Sequence, residues 1–214
     1  GEKVRQAFNM SLFRNELAFK KNMKQRNEKP VLTVGIPRAL NMYENFQFWY
    51  TLLTLCNIEV KSSSRSTFRI YEKGLNTVMA DNICFPAKLT HGHIFDLIDK
   101  KVDRILFPYV VYESYEKNTN NSFNCPVVSG YSDVLKSAIN PQKRFDVPID
   151  SPVINFREEK LLKNACRKYL KDILKDNFSK KMFDEAFAGA VKAQADFTKK
   201  LKERAAHTLD SARK

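Results

Sequence analysis

From Pro30 onward, apolar positions fall into short blocks separated by polar punctuation. "PVLTVGIP" is a β-branched run closed by Gly-Pro and predicts a buried strand. "ENFQFWYTLLTLCN" follows with Phe48, Leu52, Leu55 and Cys56 at helical spacing, and Asn57 stands where a helix C-cap would. "IEVKSS" predicts a second strand, and "IYEKGLNTV" a short helix running into a strand or turn. "FPAKLTHGHIFDLIDKKV" predicts a helix: Pro86 suits its first turn, and Leu89, Ile94, Leu97 and Ile98 supply an apolar face. "DRILFPYVVY" is a further buried strand and "YEKNTNNSFN" a polar loop. "PVVSGYSDVLKSAI" predicts a short strand and then a helix starting near Ser132 or Asp133, and "SPVINF" a last strand.

Strands alternating with helices in this way predict an α/β fold, a Rossmann-like and mostly parallel sheet with helices on both faces. After Phe156 the pattern becomes purely helical. "EEKLLKNACRKYLKDIL" and the stretch from Ser179 to Leu209 are two amphipathic helices, the second with Phe183, Phe187, Val191, Phe197, Leu201 and Ala205 near one face. Those faces are expected to pack on the α/β body or on a neighbour. Before Lys29 the chain is polar with scattered Phe8, Leu12, Phe13, Leu17 and Phe19, which fits a helix or a linker. Three regions are expected: a basic segment 1–29, an α/β domain 30–156 and a helical segment 157–214.

Composition sharpens this picture. The 214 residues are 43% hydrophobic and 29% charged, enough for a core and too apolar for a disordered chain. No apolar run approaches the roughly 20 residues of a membrane span, and no signal-peptide pattern opens the sequence, so a cytoplasmic setting is expected. The chain opens on Gly1 rather than methionine, and we read it as a piece of a longer protein. The net charge of +13 is uneven: +5 over residues 1–29, +7 over 157–214 and only +1 between. A nucleic-acid binder would place the excess on its folded core, so nucleic acid is not the expected partner.

The candidate chemistry lies in "DNICFPAKLTHGH". Cys84 stands at a helix start, where amide dipoles favour negative charge and hence the thiolate that a nucleophile, redox centre or metal site needs. A small hydrophobe under a helix cap is the competing reading. Cys125 precedes Pro126 after a polar loop at the carboxyl end of a predicted strand, the edge where parallel sheets hold ligands. Cys56 and Cys166 lie on apolar helix faces and read as core. His91 and His93 stand two residues apart and point to different faces, a poor geometry for one metal. Arg38 occupies the first strand-to-helix turn and could clamp an anion. With Lys88 and His91 it outlines a crevice for an acyl-CoA or another small anion. The turn lacks a dinucleotide fingerprint, and no P-loop, GxSxG or HExxH pattern occurs.

"VGIPRALNMYENFQFWYTLL", "DNICFPAKLTHGHIFDLIDKKVDRILFPYVVYE" and "NSFNCPVVSGYSDVLKSAI" resemble a domain of unknown function found in large proteins related to the activators of 2-hydroxyacyl-CoA dehydratases. The resemblance spans Val31 to Phe156 and extends toward the helices beyond. It implies an anaerobic bacterial source and a longer chain with ATPase modules beside iron–sulfur-binding, dehydratase-like regions, of which this would be a dehydratase-like part. It implies that Cys84 and Cys125 act as ligands of a [4Fe-4S] cluster in ATP-coupled electron transfer. Such a cluster takes three or four cysteines. The remaining ligands would come from beyond residue 214, from another chain or from Cys166, so this chain alone is expected to hold a cluster poorly or not at all. The alternatives are a small-anion-binding module and a docking domain without chemistry of its own.

Overall fold

The computed structural model describes residues 17–19, 29–115 and 120–213. The expectation of a helix or linker over 1–29 therefore falls largely outside the described residues. Strand β1 (Thr33–Ile36) leads into helix α1 (Met42–Leu55), and β2 (Glu59–Ser62) into α2 (Phe68–Gly74) and α3 (Phe85–Asp99). Strands β3 (Arg104–Leu106) and β4 (Tyr109–Tyr112) are followed by α4 (Pro126–Ile139) and the single-turn α5 (Pro141–Phe145). Strands β5 (Ile149–Asp150) and β6 (Val153–Asn155) precede α6 (Glu159–Leu174) and the long α7 (Lys180–Arg213).

The main sheet is parallel throughout, in the order β2-β1-β3-β5. Strands β4 and β6 pair in parallel as its continuation. Pro108 separates β3 from β4 and Pro152 separates β5 from β6, since proline cannot donate to a ladder. Backbone bonds from Phe107 to Asp150 (2.9 Å) and from Tyr109 to Pro152 (3.0 Å) carry the pairing across both breaks. The chain steps one way from β1 to β2 and the other way from β2 to β3. With right-handed crossovers this places α1 on one face of the sheet and α3 and α4 on the other, and makes the carboxyl ends of β1 and β3 the switch point.

Helix α1 is buried on nearly every side, eleven of its fourteen residues being inaccessible. It lies between the sheet and α7, which docks Phe183, Phe187 and Phe197 into a core shared with Phe46, Phe48 and Trp49. Gln194 of α7 accepts from the Phe48 N–H and donates to the Glu44 carbonyl, tying the two helices with polar contacts as well. The C-terminal helices thus complete the same core as the sheet.

On the opposite face α2 crosses α3 with almost no separation. A Cβ on Gly92 would lie 1.7 Å from the Ile70 carbonyl oxygen, and one on Gly74 would lie 2.2 Å from the Gly92 nitrogen. Only glycine permits that backbone contact. One expectation changes here. The strand expected at "PVV" is instead the first turn of α4, because Pro126 sits at its opening, where proline's fixed φ and missing N–H cost nothing. The stretch after α2 is a 3₁₀ turn (Leu75–Thr77), the turn of the two alternatives expected there. Among the described residues no helix is long and apolar enough to cross a membrane.

Candidate functional site

Two of the four cysteines head helices. Cys84 caps α3 and Cys125 caps α4, both in extended conformation, with proline in the first turn that follows. Their carbonyls start the helical ladders: Cys84 O accepts from Ala87 N–H at 3.0 Å, and Cys125 O from Ser129 N–H at 3.1 Å. Neither side chain is used as a cap, and both thiols are free and exposed. Phe85 and Phe123, at 57% and 62% exposure, leave apolar surface beside them.

A buried pin joins the two helices. His91 Nε2 and the Tyr131 hydroxyl are 3.0 Å apart, and the Thr77 hydroxyl lies 2.8 Å from His91 Nδ1. His91 is seven residues past Cys84 and Tyr131 six past Cys125. At 1.5 Å per residue along each helix the pin lies about 10 Å and about 9 Å from the two helix starts. Burial, and then the charge of Cys84, hold the Tyr131 phenol above its usual pKa.

Both histidines of "HGH" are fully buried, so neither opens onto the crevice as expected of one of them. Burial lowers each to a pKa of about 4, so both are neutral near pH 7. His93 lies between the hydroxyls of Ser63 (2.8 Å) and Ser66 (3.0 Å). α2 and its following turn cover one side of α3 and α4 another, which is why residues two apart both disappear from solvent. Lys88 donates to the Asp81 carbonyl at 2.7 Å, bracing the loop before Cys84. Arg38 lies 4.4 Å over the Phe19 ring, and its N–H donates to Ser63 Oγ. Arg38, Lys88 and His91 thus engage three different sets of neighbours.

The sequence reading passed over Glu113, the residue that follows β4. Its carboxylate accepts from the Asn45 amide at 3.2 Å and from the Asn124 amide at 2.9 Å. Burial holds this carboxyl above the usual carboxylate range, against the pull of the Asn124 and Asn45 donors. Asn124 also donates to the Val110 carbonyl and its N–H bonds Val111 O, so the residue before Cys125 is stapled to the carboxyl end of β4. The signal available in sequence was an acidic residue directly at a strand end, read there as the opening of a polar loop.

Cys56 and Cys166 are buried together on the α1–α6 side. Burial, with Cys56 adding, pushes the Cys166 thiol far up. Among the described residues no three His, Cys, Asp or Glu side chains cluster as a metal site would.

A parallel α/β sheet whose carboxyl edge presents two uncommitted thiols on adjacent helices defines the class of this domain. The particular family follows from comparison: the family model described as the CoA enzyme activase uncharacterised domain matches residues 33–214, and the chain belongs to that family. No curated protein and no solved structure matches the chain.

Proposed function

We propose that this domain serves electron transfer in an activase-type protein, with Cys84 and Cys125 as thiolate ligands of one iron–sulfur cluster. The observation that supports this reading is a pair of exposed thiols at the starts of α3 and α4, two helices joined by the His91–Tyr131 contact. The donor set fits two ligands of a cluster. Helix N-termini favour the net negative charge of a thiolate-bound centre, and first-turn N–H groups suit its sulfurs. When bound, the cluster would supply one-electron chemistry. Cys84 and Cys125 would hold it, and the α3–α4 pin would fix their separation.

The remaining ligands come, in this reading, from another part of a longer chain or from a partner that covers Phe85 and Phe123. Cys166 is a poor third ligand, since it is buried in a core on the other face. ATPase modules are the proposed partners and a reducing cytoplasm the proposed setting, consistent with four free thiols.

Anaerobic reconstitution with iron and sulfide tests this, using this chain and the full-length protein, each also as Cys84→Ala and Cys125→Ala. We expect iron and a visible charge-transfer band in the full-length protein, both lost in either variant, and little iron in this chain alone. Full iron content in both alanine variants would overturn the reading.

A further inference from the structure

We propose that the turns leaving β1 and β2 form a second site, which binds the phosphate groups of a phosphorylated small molecule through Arg38, Asn41, Arg65 and Arg69. It lies apart from the cysteines and does not depend on them.

The first argument is position. Arg38 and Asn41 lie in the loop between β1 and α1, beside the switch point, where open parallel sheets receive their ligands. Ser63, Ser64 and Arg65 leave the neighbouring strand β2. The Arg38 N–H donates to Ser63 Oγ at 2.7 Å, which fixes the two turns against each other.

The second argument is unmet hydrogen-bonding capacity. Asn41 is only 5% exposed, its side chain makes no helix-capping bond, and its Nδ2 is buried without a partner among the described residues. Arg38 Nε is likewise buried and has no partner among the described residues. Two such donors in one four-residue turn are costly unless something accepts from them. The Phe19 ring under the guanidinium holds its plane, which is the preorganisation that bidentate recognition of an oxoanion requires. Burial above all, and then the like charge of Arg65 against an opposing contribution from Tyr43, hold the Arg38 guanidinium below its ordinary pKa. An anion would relieve both effects.

The third argument is the adjoining depression of about 430 Å³, lined by Ser64, Arg65, Thr67, Arg69, Lys73 and Asp96. Its one carboxylate is committed, since Asp96 accepts from the Ser64 N–H at 2.7 Å and pairs with Lys100 at 2.9 Å. Lys73 pairs with Asp99. Arg65 and Arg69 add positive charge to the same wall. The Ser63–Ser64 turn joins the Arg38 loop to this depression, so a ligand with two linked phosphates suits the site better than a single carboxylate.

Calorimetric titration of this chain with pyrophosphate, inorganic phosphate and acetate tests the site. Pyrophosphate is expected to bind more tightly than phosphate, and acetate not measurably. Arg38→Gln should weaken pyrophosphate at least about tenfold. Arg38→Lys, which keeps the charge and loses the planar fork, should restore only part of that loss. Arg69→Glu, at an exposed position, should weaken binding without disturbing folding, and thermal unfolding of each variant checks this. Paired Lys199→Glu and Lys200→Glu substitutions on the exposed side of α7 should leave binding unchanged. Absence of pyrophosphate binding would overturn the proposal. So would an equal loss from the α7 pair, which would reduce the effect to general surface charge.

Discussion

The two pairs of cysteines in this fold have the same chemistry and opposite surroundings. Cys56 and Cys166 are inaccessible, placed where α1 and α6 meet the sheet, and burial keeps the Cys166 thiol protonated. Cys84 and Cys125 are exposed at the starts of α3 and α4. One face of the sheet is filled with Trp49, Phe46, Phe183 and their neighbours and serves stability. The other ends in exposed thiols and exposed Phe85 and Phe123, which cost solvation and contribute nothing to the core. The contrast shows that context, not residue type, separates packing cysteines from candidate ligands.

The largest expected effect is on thiol labelling. In the folded protein a thiol reagent should modify Cys84 and Cys125 readily, and Cys56 and Cys166 slower by at least about a thousandfold, because those must await unfolding. Peptide mapping by mass spectrometry reads this directly, and rapid modification of Cys166 would break the comparison. Next in size, Gly92→Ala should cost about 3 kcal/mol or more in chemical denaturation, because the new methyl meets the Ile70 carbonyl and not a side chain that can move.

Acid should act through the buried histidines. Their folded pKa of about 4 lies below the unfolded value near 6.5, so their contribution is complete above pH 6.5 and is lost as pH falls toward 4. With a discount for solvent screening, on the order of 1–2 kcal/mol per histidine should be gone by about pH 4.5. His91→Gln should flatten that slope in denaturation curves taken between neutral and acid pH, and an unchanged slope would count against a buried neutral His91. Tyr131→Phe should remove about 1 kcal/mol by taking away the pin's hydroxyl. Smallest of all, Cys84→Ala should change stability by less than about 0.5 kcal/mol, the expectation for an exposed side chain without a partner in the core.

Much of this architecture was legible from spacing. The β-branched run at "LTVGI", the helical face of α1, the left-handed Asn57 after it (φ 58°) and the amphipathic C-terminal helices all follow from local sequence preferences. The burial of Cys56 and Cys166 followed from the same periodicity. What could not be read was set by tertiary contact. "PVV" has strand-like composition, yet Pro126 and the loop stapled to β4 start a helix there. The breaks at Pro108 and Pro152 match because the strands are neighbours, a fact spread over more than forty residues of chain. The helix-start position of Cys84 could be read, but that of Cys125 was hidden by the strand-like "PVV", the link between the two helices depends on His91 meeting Tyr131, and the role of Glu113 depends on Asn45 and Asn124.

The most direct test of the central claim, that Cys84 and Cys125 face a common space, is intramolecular cross-linking. A bifunctional thiol reagent spanning about 10 Å, the separation of packed helix axes, should join the two in the folded chain. Mass spectrometry should find a single bridged product that disappears in Cys84→Ala and in Cys125→Ala. Two separate single-ended adducts on Cys84 and Cys125, with no bridged product, would contradict it.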